Sequence, residues 1–329
     1  MGIKILAIEK YLPKNRISSE ELDRVVNGCI GRIEKNSGVN YRHHVSEGET
    51  ISQMGANALT KALTKASLKP KDIDLMIFSG ASFDYPVPHN SAIIKSKITN
   101  DEVNFHCFDI DSTCLSFMNA LDVAQLYLEA GRYKRIAIVS SEISSKALGP
   151  HDEKVFGLFG DAAVAILLES SSTSGYKQTF ANFKNFPSGA FHACVPLGGA
   201  VNRGIGNPIN DLGYFFKMDG SGLIRLVKKH FDGFINEMKE ITNKSIKDFD
   251  FIITHQASKF GNDFFLKNYH PRVDQMVDTL SIYGNCISAS IPLGLELLIN
   301  NSQDTKNKKI LILGSGAGLS LGALILEFN

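Results

Sequence analysis

The stretch Asp109-Ile-Asp-Ser-Thr-Cys-Leu-Ser-Phe-Met118 joins a predicted strand to a predicted helix, and the rest of the chain is organised around it. The apolar run Val103 to Ile110 is typical of a buried strand. Beyond Cys114, apolar side chains recur at helical spacing as far as position 128. Gly131 ends that helix, and the run Arg135 to Ser141 predicts the next buried strand. We therefore expect Cys114 at a strand-to-helix turn, on the first turn of the helix.

This position favours a reactive cysteine. Backbone N–H groups at a helix N-terminus lack intrahelical partners and carry partial positive charge. Such a setting stabilises the thiolate, which is the nucleophilic form of cysteine. The alternative is that Cys114 is a small buried hydrophobe, a common role for a free cysteine. Position alone leaves both interpretations open.

The composition describes a chain with a large apolar core and little net charge. Of its 329 residues, 43% are hydrophobic, and the formal net charge is +1, so a nucleic-acid-binding surface is not indicated. The five cysteines, at positions 29, 107, 114, 194 and 286, include no CxxC pair and no ligand spacing, so we expect neither a metal site nor a disulfide framework. Unpaired cysteines suit the reducing cytoplasm, and no signal-peptide pattern opens the chain.

The C-terminal part contains an uncharged run, Ile310 to Leu326, that is nearly long enough to span a membrane. The glycine-rich segment Gly314 to Gly318 divides it into two short pieces. We therefore predict two buried strands around a glycine turn, and no membrane partner.

An internal repeat relates the two parts of the chain. Three pairs of segments match at an offset of about 175 residues. They are Asp72–Ser82 with Asp248–Ser258, the strands beginning at Ile136 and Ile310, and the strands beginning at Ala162 and Leu319. Alternating strands and helices in each copy predict βαβ units and a mostly parallel buried sheet. We place the N-terminal half at residues 1–172 and the C-terminal half at residues 173–329.

Other segments carry weaker signals. Capping or periodic patterns predict helices that start near Ser18 and Asn90, and helices over 52–66 and 221–239, the last of them basic. We expect a loop at 38–44. Residues 170–215 are rich in Ser, Gly and Asn and show little periodicity, so we expect a link followed by a long surface loop from Phe186 to Asp211.

Two further residues are candidates for the same site as Cys114. Sites in parallel sheets lie at the carboxyl ends of strands. His255 follows an apolar strand, and Asn285 lies in the turn Tyr283-Gly-Asn-Cys286 that leads into a helix. Each has an ordinary alternative, His255 as a core histidine bonded to backbone and Asn285 as a turn or cap residue. Cys286 could compete for the nucleophile role, although no comparable turn is evident around it.

Taken together, these residues resemble the thiolase superfamily, and specifically ketoacyl-ACP synthase III. The matching motifs are Thr113–Phe117, Leu158–Ala162, His255–Ala257, Tyr283–Asn285 with Ser290–Pro292, and the C-terminal glycine turn, so the resemblance covers nearly the whole chain. It implies a five-layer αβαβα thiolase-like fold built from two duplicated halves. It also implies a homodimeric acyltransferase, for which we expect no cofactor.

The resemblance assigns chemistry to individual residues. An acyl group would pass from a thioester donor to Cys114, and a decarboxylative Claisen condensation with a malonyl-type thioester on an acyl carrier protein would follow. His255 and Asn285 would donate hydrogen bonds to the enolate formed by loss of CO₂. The backbone amides of Cys114 and Ala317 would form the oxyanion hole for the acyl carbonyl.

Several positions depart from the family pattern. The chain has no Trp, and Asp152-Glu153 replaces an Asp-Arg pair, so both sides of the clamp that holds the adenine of coenzyme A are missing. We therefore expect a carrier protein to be preferred over CoA as acyl donor. Val87 and Ser315 are assigned to the acyl pocket, at positions where the family often has aromatic residues. Val87 would reach across the dimer to the partner's pocket, and its small size predicts room for medium or longer acyl groups.

Basic residues near the second half are candidates to meet an acidic carrier protein, although each could equally be part of a solvated face. They are Arg225, Lys228, Lys229 and Lys259, and the arginine usual after the His-Gln-Ala motif is missing.

Three functions follow from these observations. The first is a condensing enzyme of a specialised lipid or polyketide pathway. The second is an acyltransferase that moves the group on Cys114 to a hydroxyl or an amine. The third is a non-catalytic partner subunit, against which the intact Cys114, His255 and Asn285 argue.

Overall fold

A computed structural model describes residues 2–26, 28–149, 153–200, 212–301 and 305–329, apart from the side chains of residues 153 and 154. Within these ranges the strands are β1 (Gly2–Tyr11), β2 (Asn15–Ser18), β3 (Tyr41–His44), β4 (Leu75–Ser79), β5 (His106–Ile110), β6 (Arg135–Glu142), β7 (Ala162–Ser171), β8 (Tyr176–Asn185), β9 (Ala193–Cys194), β10 (Lys217–Met218), β11 (Phe251–Thr254), β12 (Lys309–Gly316) and β13 (Ser320–Phe328). The helices are α1 (Ser19–Val25), α2 (Arg32–Ser37), α3 (Ile51–Lys65), α4 (Asn90–Ile98), α5 (Ser116–Glu129), α6 (Glu153–Phe156), α7 (Gly220–Thr242), α8 (Lys259–Tyr269), α9 (Leu280–Tyr283) and α10 (Ser290–Asn300).

Nine of the described strands form one mixed sheet in the order β11-β12-β13-β8-β1-β7-β6-β4-β5. The order is nearly palindromic about the contact between β8 and β1, where Ile3 pairs with Tyr176. β4, β6 and β7 in the first half correspond to β11, β12 and β13 in the second. In the second half, an isolated parallel pair between Ile252 and Met276 occupies the position that corresponds to the β4–β5 pairing of the first half. The duplicated architecture predicted from the sequence is confirmed. The expected mostly parallel sheet was wrong, because among the described strands only β4 with β5, β4 with β6 and β11 with β12 pair in parallel, and the other pairings in the sheet are antiparallel. The proposed boundary at 172/173 falls between β7 and β8 and stays a prediction.

The helices and the two halves of the sheet form five layers, with clusters of buried apolar residues between them. α3 and α4 pack on the outer face of the first half of the sheet, and α7 and α8 pack on the outer face of the second half. α5 and α10 lie between the two halves and contribute to one shared core. That core also contains Leu75 and Ile77 of β4 and Ile310 and Ile312 of β12. The predicted αβαβα fold is therefore confirmed.

The central strands are buried on both faces, as helix-covered parallel strands are expected to be. All five residues of β4 are buried, and seven of the eight in β6. Ser18 caps α1 by accepting from the Glu21 amide, as the sequence predicts, and Gly131 follows α5 with φ +67°. The C-terminal apolar run forms β12 and β13 around a glycine turn, also as predicted. Within the described ranges, no helix has both the length and the apolar character needed to cross a membrane.

Three expectations about local structure were wrong. The stretch expected as a link at 176–185 is the ten-residue strand β8, which pairs along its length with β13. Its fully buried residues are Tyr176 and Phe180, with three polar residues between them, so it lacks the continuous apolar run of its neighbours. The expected loop at 38–44 contains β3, which pairs with β2. β5 begins at His106, three residues later than predicted. Residues 201–211 of the predicted surface loop lie outside the described part of the chain.

Candidate active site

Cys114 lies in a 3₁₀ turn, Thr113–Leu115, between β5 and α5. The turn is sharp, because Thr113 has φ +53°, which is uncommon for a residue other than glycine. Side chains from the same segment hold it. Asp111 Oδ1 accepts from the Thr113 amide at 2.8 Å, and Ser116 Oγ accepts from the Ser112 amide at 2.9 Å. The strand-to-helix turn predicted from the sequence is therefore present, with Cys114 just before the α-helix.

The protonation state of Cys114 differs from the sequence expectation. Burial raises the pKa of its thiol to about 12, and the nearby carboxylate of Glu142 acts in the same direction. Hydrogen bonds to the sulphur from the amides of Ala317 and Cys114 itself lower the pKa, but by less. The expectation that this position favours the thiolate over the thiol is therefore wrong in direction, because loss of hydration outweighs the favourable amides. The thiol is neutral in the free chain and must lose its proton when it attacks.

His255 follows β11 and is buried at the same end of the sheet. Its backbone N–H donates to Leu313 O of β12 at 2.8 Å, which fixes the start of the turn. Burial lowers the pKa of the imidazole to about 4, so the ring is neutral at physiological pH. Among the described residues its Nδ1 has no hydrogen-bond partner. Nδ1 is therefore not bonded to backbone within the described part of the chain, and the residue lines the cavity that also contains Cys114.

Asn285 is held in one orientation by its neighbours. Its Oδ1 accepts from the Ile287 amide at 2.9 Å, and its Nδ2 donates to Ala257 O at 3.2 Å. Its backbone N–H donates to Leu158 O at 2.9 Å, and its carbonyl accepts from the Gly160 amide at 3.1 Å. Because an amide nitrogen carries two hydrogens, one N–H remains for a ligand.

One cavity of about 1230 Å³ brings the predicted residues together. Cys114, His255, Asn285, Ser315 and Ala317 all line it. Its outer part is apolar and lies between α7 and α8, with lining residues that include Ile224, Val227, Phe231, Phe260 and Phe264. The cavity can therefore take a mostly apolar chain that reaches from the surface to the thiol.

Val87, which the sequence assigned to the acyl pocket, lies outside the cavity that contains Cys114. It is 83% exposed in the single chain and does not line the cavity of its own subunit. A role in the pocket therefore requires a partner subunit, as the sequence argument assumed, and stays a prediction. Asp152 lies outside the described residues, as does the side chain of Glu153, so the missing adenine clamp also stays a prediction.

Cys286 is less suited than Cys114 to be the nucleophile, because it does not line the cavity. It is fully buried, and burial raises the pKa of its thiol well above the ordinary value. Its Sγ lies 3.5 Å from Tyr283 O. The expectation that it lacks a comparable turn was wrong, because it precedes a 3₁₀ turn, Ile287–Ala289, that matches the one carrying Cys114. Within that turn Ser288, rather than Cys286, stands at the position of Cys114.

Sequence reasoning missed Glu142, at the end of β6. Its buried carboxylate accepts from the amides of Ala81 and Ser82 at 2.8 and 3.1 Å and from Ser288 Oγ at 2.5 Å. Burial raises the pKa of this carboxyl, and the three donors oppose that shift. A signal was present in the sequence, since an acid at the carboxyl end of an apolar strand occupies a position typical of sites.

Comparison with known proteins gives the family. The profile described as 3-Oxoacyl-[acyl-carrier-protein (ACP)] synthase III matches residues 108–185, and the one for the C terminal of the same enzyme matches residues 240–328. The Beta-ketoacyl-[acyl-carrier-protein] synthase III of Neisseria gonorrhoeae is 30% identical over 329 residues, which cover 99% of both chains. This chain belongs to the 3-oxoacyl-ACP synthase III family. The predicted membership, and with it an acyl-transferring condensing enzyme, is confirmed.

Solved structures agree in fold. The 3-oxoacyl-ACP synthase III of Aquifex aeolicus has a TM-score of 0.86 at 24% identity, with 99% of this chain and 100% of that chain covered. The priming β-ketosynthase of the R1128 polyketide biosynthetic pathway has a TM-score of 0.86 at 22% identity, covering 99% and 96%. OleA of Xanthomonas campestris has a TM-score of 0.84 at 18% identity, covering 99% and 97%.

Proposed function

We propose that this enzyme transfers an acyl group from a thioester to Cys114 and then condenses it with a malonyl-type thioester on an acyl carrier protein, with loss of CO₂. The observation that carries the proposal is the meeting of three groups in one cavity. These are a thiol at a strained turn, a neutral imidazole and an oriented carboxamide, contributed by Cys114, His255 and Asn285.

Acylation begins with attack of Cys114 Sγ on the donor carbonyl. The thiol proton leaves with the departing donor thiol, since the pKa of Cys114 favours the neutral form in the resting chain. The tetrahedral oxyanion needs donors already in place. The amides of Cys114 and Ala317 both reach the sulphur, so they are close to where that oxygen forms.

Condensation uses the other two groups. When the malonyl thioester loses CO₂, negative charge develops on its thioester oxygen, and the α-carbon then attacks the acyl carbonyl. Cys114 departs as a thiolate and takes up one proton. His255 and Asn285 each offer one N–H to the enolate oxygen without carrying a charge of their own. This division gives each half-reaction its own donors.

Adduct mapping tests the proposal. Wild type, Cys114→Ala and Cys286→Ala are incubated with acyl-thioester donors, and the intact mass and labelled peptide are measured. We expect one acyl group per chain in wild type and Cys286→Ala, and none in Cys114→Ala. Labelling at Cys286 would overturn the assignment. Acylation without malonyl decarboxylation would favour transfer to a hydroxyl or amine, and no acylation by any donor would favour a non-catalytic subunit.

The acyl carrier protein is the partner we propose for both substrates. Lys228 lines the outer cavity, with its Nζ 5.9 Å from the centre of the Phe260 ring, where it can meet the phosphate of a carrier's prosthetic arm. Arg225 and Lys229 are exposed on the same helix, α7. Lys259 pairs with Asp263 at 2.8 Å, so it is a weaker candidate for replacing the missing arginine.

We also propose a homodimer, since the described part of a single chain leaves a sheet edge and an apolar loop uncovered. β5 is the last strand at one side of the sheet. Beside it, Phe83, Tyr85 and Val87 are 59%, 60% and 83% exposed. A second copy that paired with β5 would cover this loop and bring Val87 to the partner's cavity. Light scattering on the eluting protein would test this, and a monomer would remove Val87 from the pocket.

For cellular context, we propose a cytoplasmic enzyme of a specialised lipid or polyketide pathway. All five cysteines are free in the structure, which suits a reducing compartment. The likeness to a polyketide-priming ketosynthase supports the pathway class at the level of fold.

A further inference from the structure

The turn that carries Cys114 has a duplicate that lies in contact with it. The 3₁₀ turn Thr113–Leu115 leads into α5, and the 3₁₀ turn Ile287–Ala289 leads into α10. Thr113 and Ile287 open the two turns with φ of +53° and +51°. The two turns are separated along the chain by about the same number of residues as the duplicated strands, so they occupy equivalent positions in the two halves. A difference between them therefore shows what the fold of the turn does not require.

The same two side-chain bonds hold both turns. In each, a serine at the start of the helix accepts from the amide four residues before it, at 2.9 Å, namely Ser116 from Ser112 and Ser290 from Cys286. In each, a side-chain oxygen accepts from the amide of the positive-φ residue. These second bonds are Asp111 to Thr113 at 2.8 Å and Asn285 to Ile287 at 2.9 Å.

The duplicates differ in charge at this capping position. Asn285 shows that an uncharged amide oxygen is enough to hold the turn. Asp111 therefore brings a negative charge that the fold does not require, three residues from the thiol. The Asp111 side chain is exposed. The Glu142 side chain is buried, and its carboxylate accepts three hydrogen bonds. Asp111 is therefore the carboxylate that can be changed without breaking a buried hydrogen-bond network.

We propose that Asp111 is a positioning residue with two separable effects: its oxygen holds the turn that carries Cys114, and its negative charge, which the duplicate turn does without, opposes formation of the Cys114 thiolate. The inference rests on Cys114 being the nucleophile of the proposed function. It adds a restraint on that nucleophile, which is protected from unproductive reaction in the free enzyme.

The groups that face Cys114 allow this effect to be isolated. Glu142 of β6 and Asp111 raise the pKa of the thiol, after burial. His255 beyond β11 is neutral, because burial lowers the pKa of its ring to about 4. Cys286 of the duplicate turn is also neutral, since burial raises the pKa of its thiol. Removing the charge of Asp111 therefore leaves Glu142 as the one acid that still acts on Cys114 among those named.

The test separates the oxygen from the charge. Asp111→Asn keeps the acceptor and removes the charge, and Asp111→Ala removes both. Asp74→Asn is the matched control, because Asp74 also caps backbone amides, those of Lys134 and Arg135 at 2.8 Å, at the other end of β4. The initial rate of Cys114 alkylation by iodoacetamide is followed by peptide mass on the full chain, at a series of pH values, together with the unfolding temperature.

We expect Asp111→Asn to unfold at the wild-type temperature and to be alkylated about two- to fivefold faster at fixed pH, since removing one solvent-screened negative charge favours the thiolate. Asp111→Ala should unfold at a lower temperature because the turn loses its cap. Asp74→Asn should match wild type in alkylation.

Three results would overturn the proposal. They are an unchanged alkylation profile in Asp111→Asn, equal stability of Asp111→Asn and Asp111→Ala, and faster alkylation in Asp74→Asn. Alkylation needs no acyl substrate. A chain that shows the shift but is never acylated would therefore refute the proposed function and keep this inference.

Discussion

Replacing Asn285 with Asp separates its role as a donor from its role in the fold. The oxygen that accepts from the Ile287 amide is kept, and the Asp111–Thr113 bond shows that a carboxylate can hold such a turn. The –NH₂ group becomes an oxygen. The enolate thereby loses a donor, and Ala257 O, which accepts from Nδ2 at 3.2 Å, faces an acceptor. The change is nearly isosteric, so the measured loss reports on the lost donor and the added charge rather than on a change of shape.

The expected loss can be worked from this geometry. Removing one aimed donor costs about 10²–10³ in kcat, or roughly 2.7–4 kcal/mol of transition-state stabilisation. A negative charge placed beside the developing enolate adds to that loss, so malonyl decarboxylation should fall by about 10³ or more. Acylation uses the amides of Cys114 and Ala317, and should change by less than about threefold.

The assay follows the two half-reactions separately. CO₂ release from a malonyl carrier protein reports on decarboxylation, and intact mass reports on the acyl adduct. Asn268→Asp is the control, because Asn268 Nδ2 also donates to a carbonyl, that of Phe264 at 2.7 Å, on the exposed side of α8. Decarboxylation at the wild-type rate in a normally folded Asn285→Asp would refute the reasoning.

Three further predictions concern substrate choice and pH. Val87→Phe should shorten the preferred acyl chain, seen as a changed ranking of donors by kcat/KM; an unchanged ranking would show that Val87 does not border the pocket. A carrier protein should give a higher kcat/KM than CoA for the same acyl group at matched ionic strength, and equal use would mean that other contacts replace the adenine clamp. Burial holds the pKa of His255 near 4, below its ordinary 6.5, so between these values the unfolded chain binds more protons and stability falls as pH falls. The linked loss is about 3 kcal/mol between pH 7 and pH 4. Denaturant unfolding of His255→Gln should show a smaller loss over that range, and an equal loss would place the effect on other groups.

Local signals made the three site residues candidates. Cys114 and His255 each follow a predicted apolar strand, and Asn285 sits beside a glycine in a turn. These signals left ordinary alternatives open for each residue, and the family resemblance joined them into one predicted site. The duplicated strands supported the fold through local signals of the same kind.

The missed features depend on partners distant in sequence. Arg42 is fully buried, and its guanidinium donates to Gly157 O at 2.6 Å and to Ser19 Oγ at 2.8 Å. Glu142 is held by amides about 60 residues away. The sequence around Arg42 does not distinguish it from an exposed arginine, and the place of Glu142 at a strand end does not reveal that its carboxylate is buried. The pKa of Cys114 was misjudged for a related reason, because the helix end is visible in the sequence and the burial is not.

The near-palindromic sheet bears on whether each half of the chain can fold without the other. The two halves share one apolar core around α5 and α10, and their strands meet at the pair Ile3–Tyr176. A half released from the other would expose one face of its sheet and its central helix to water. Neither half is therefore an independent folding unit, despite the repeat. A break in the backbone between β7 and β8 would leave two fragments that are stable only when they reassociate, and the cavity would form only as they do.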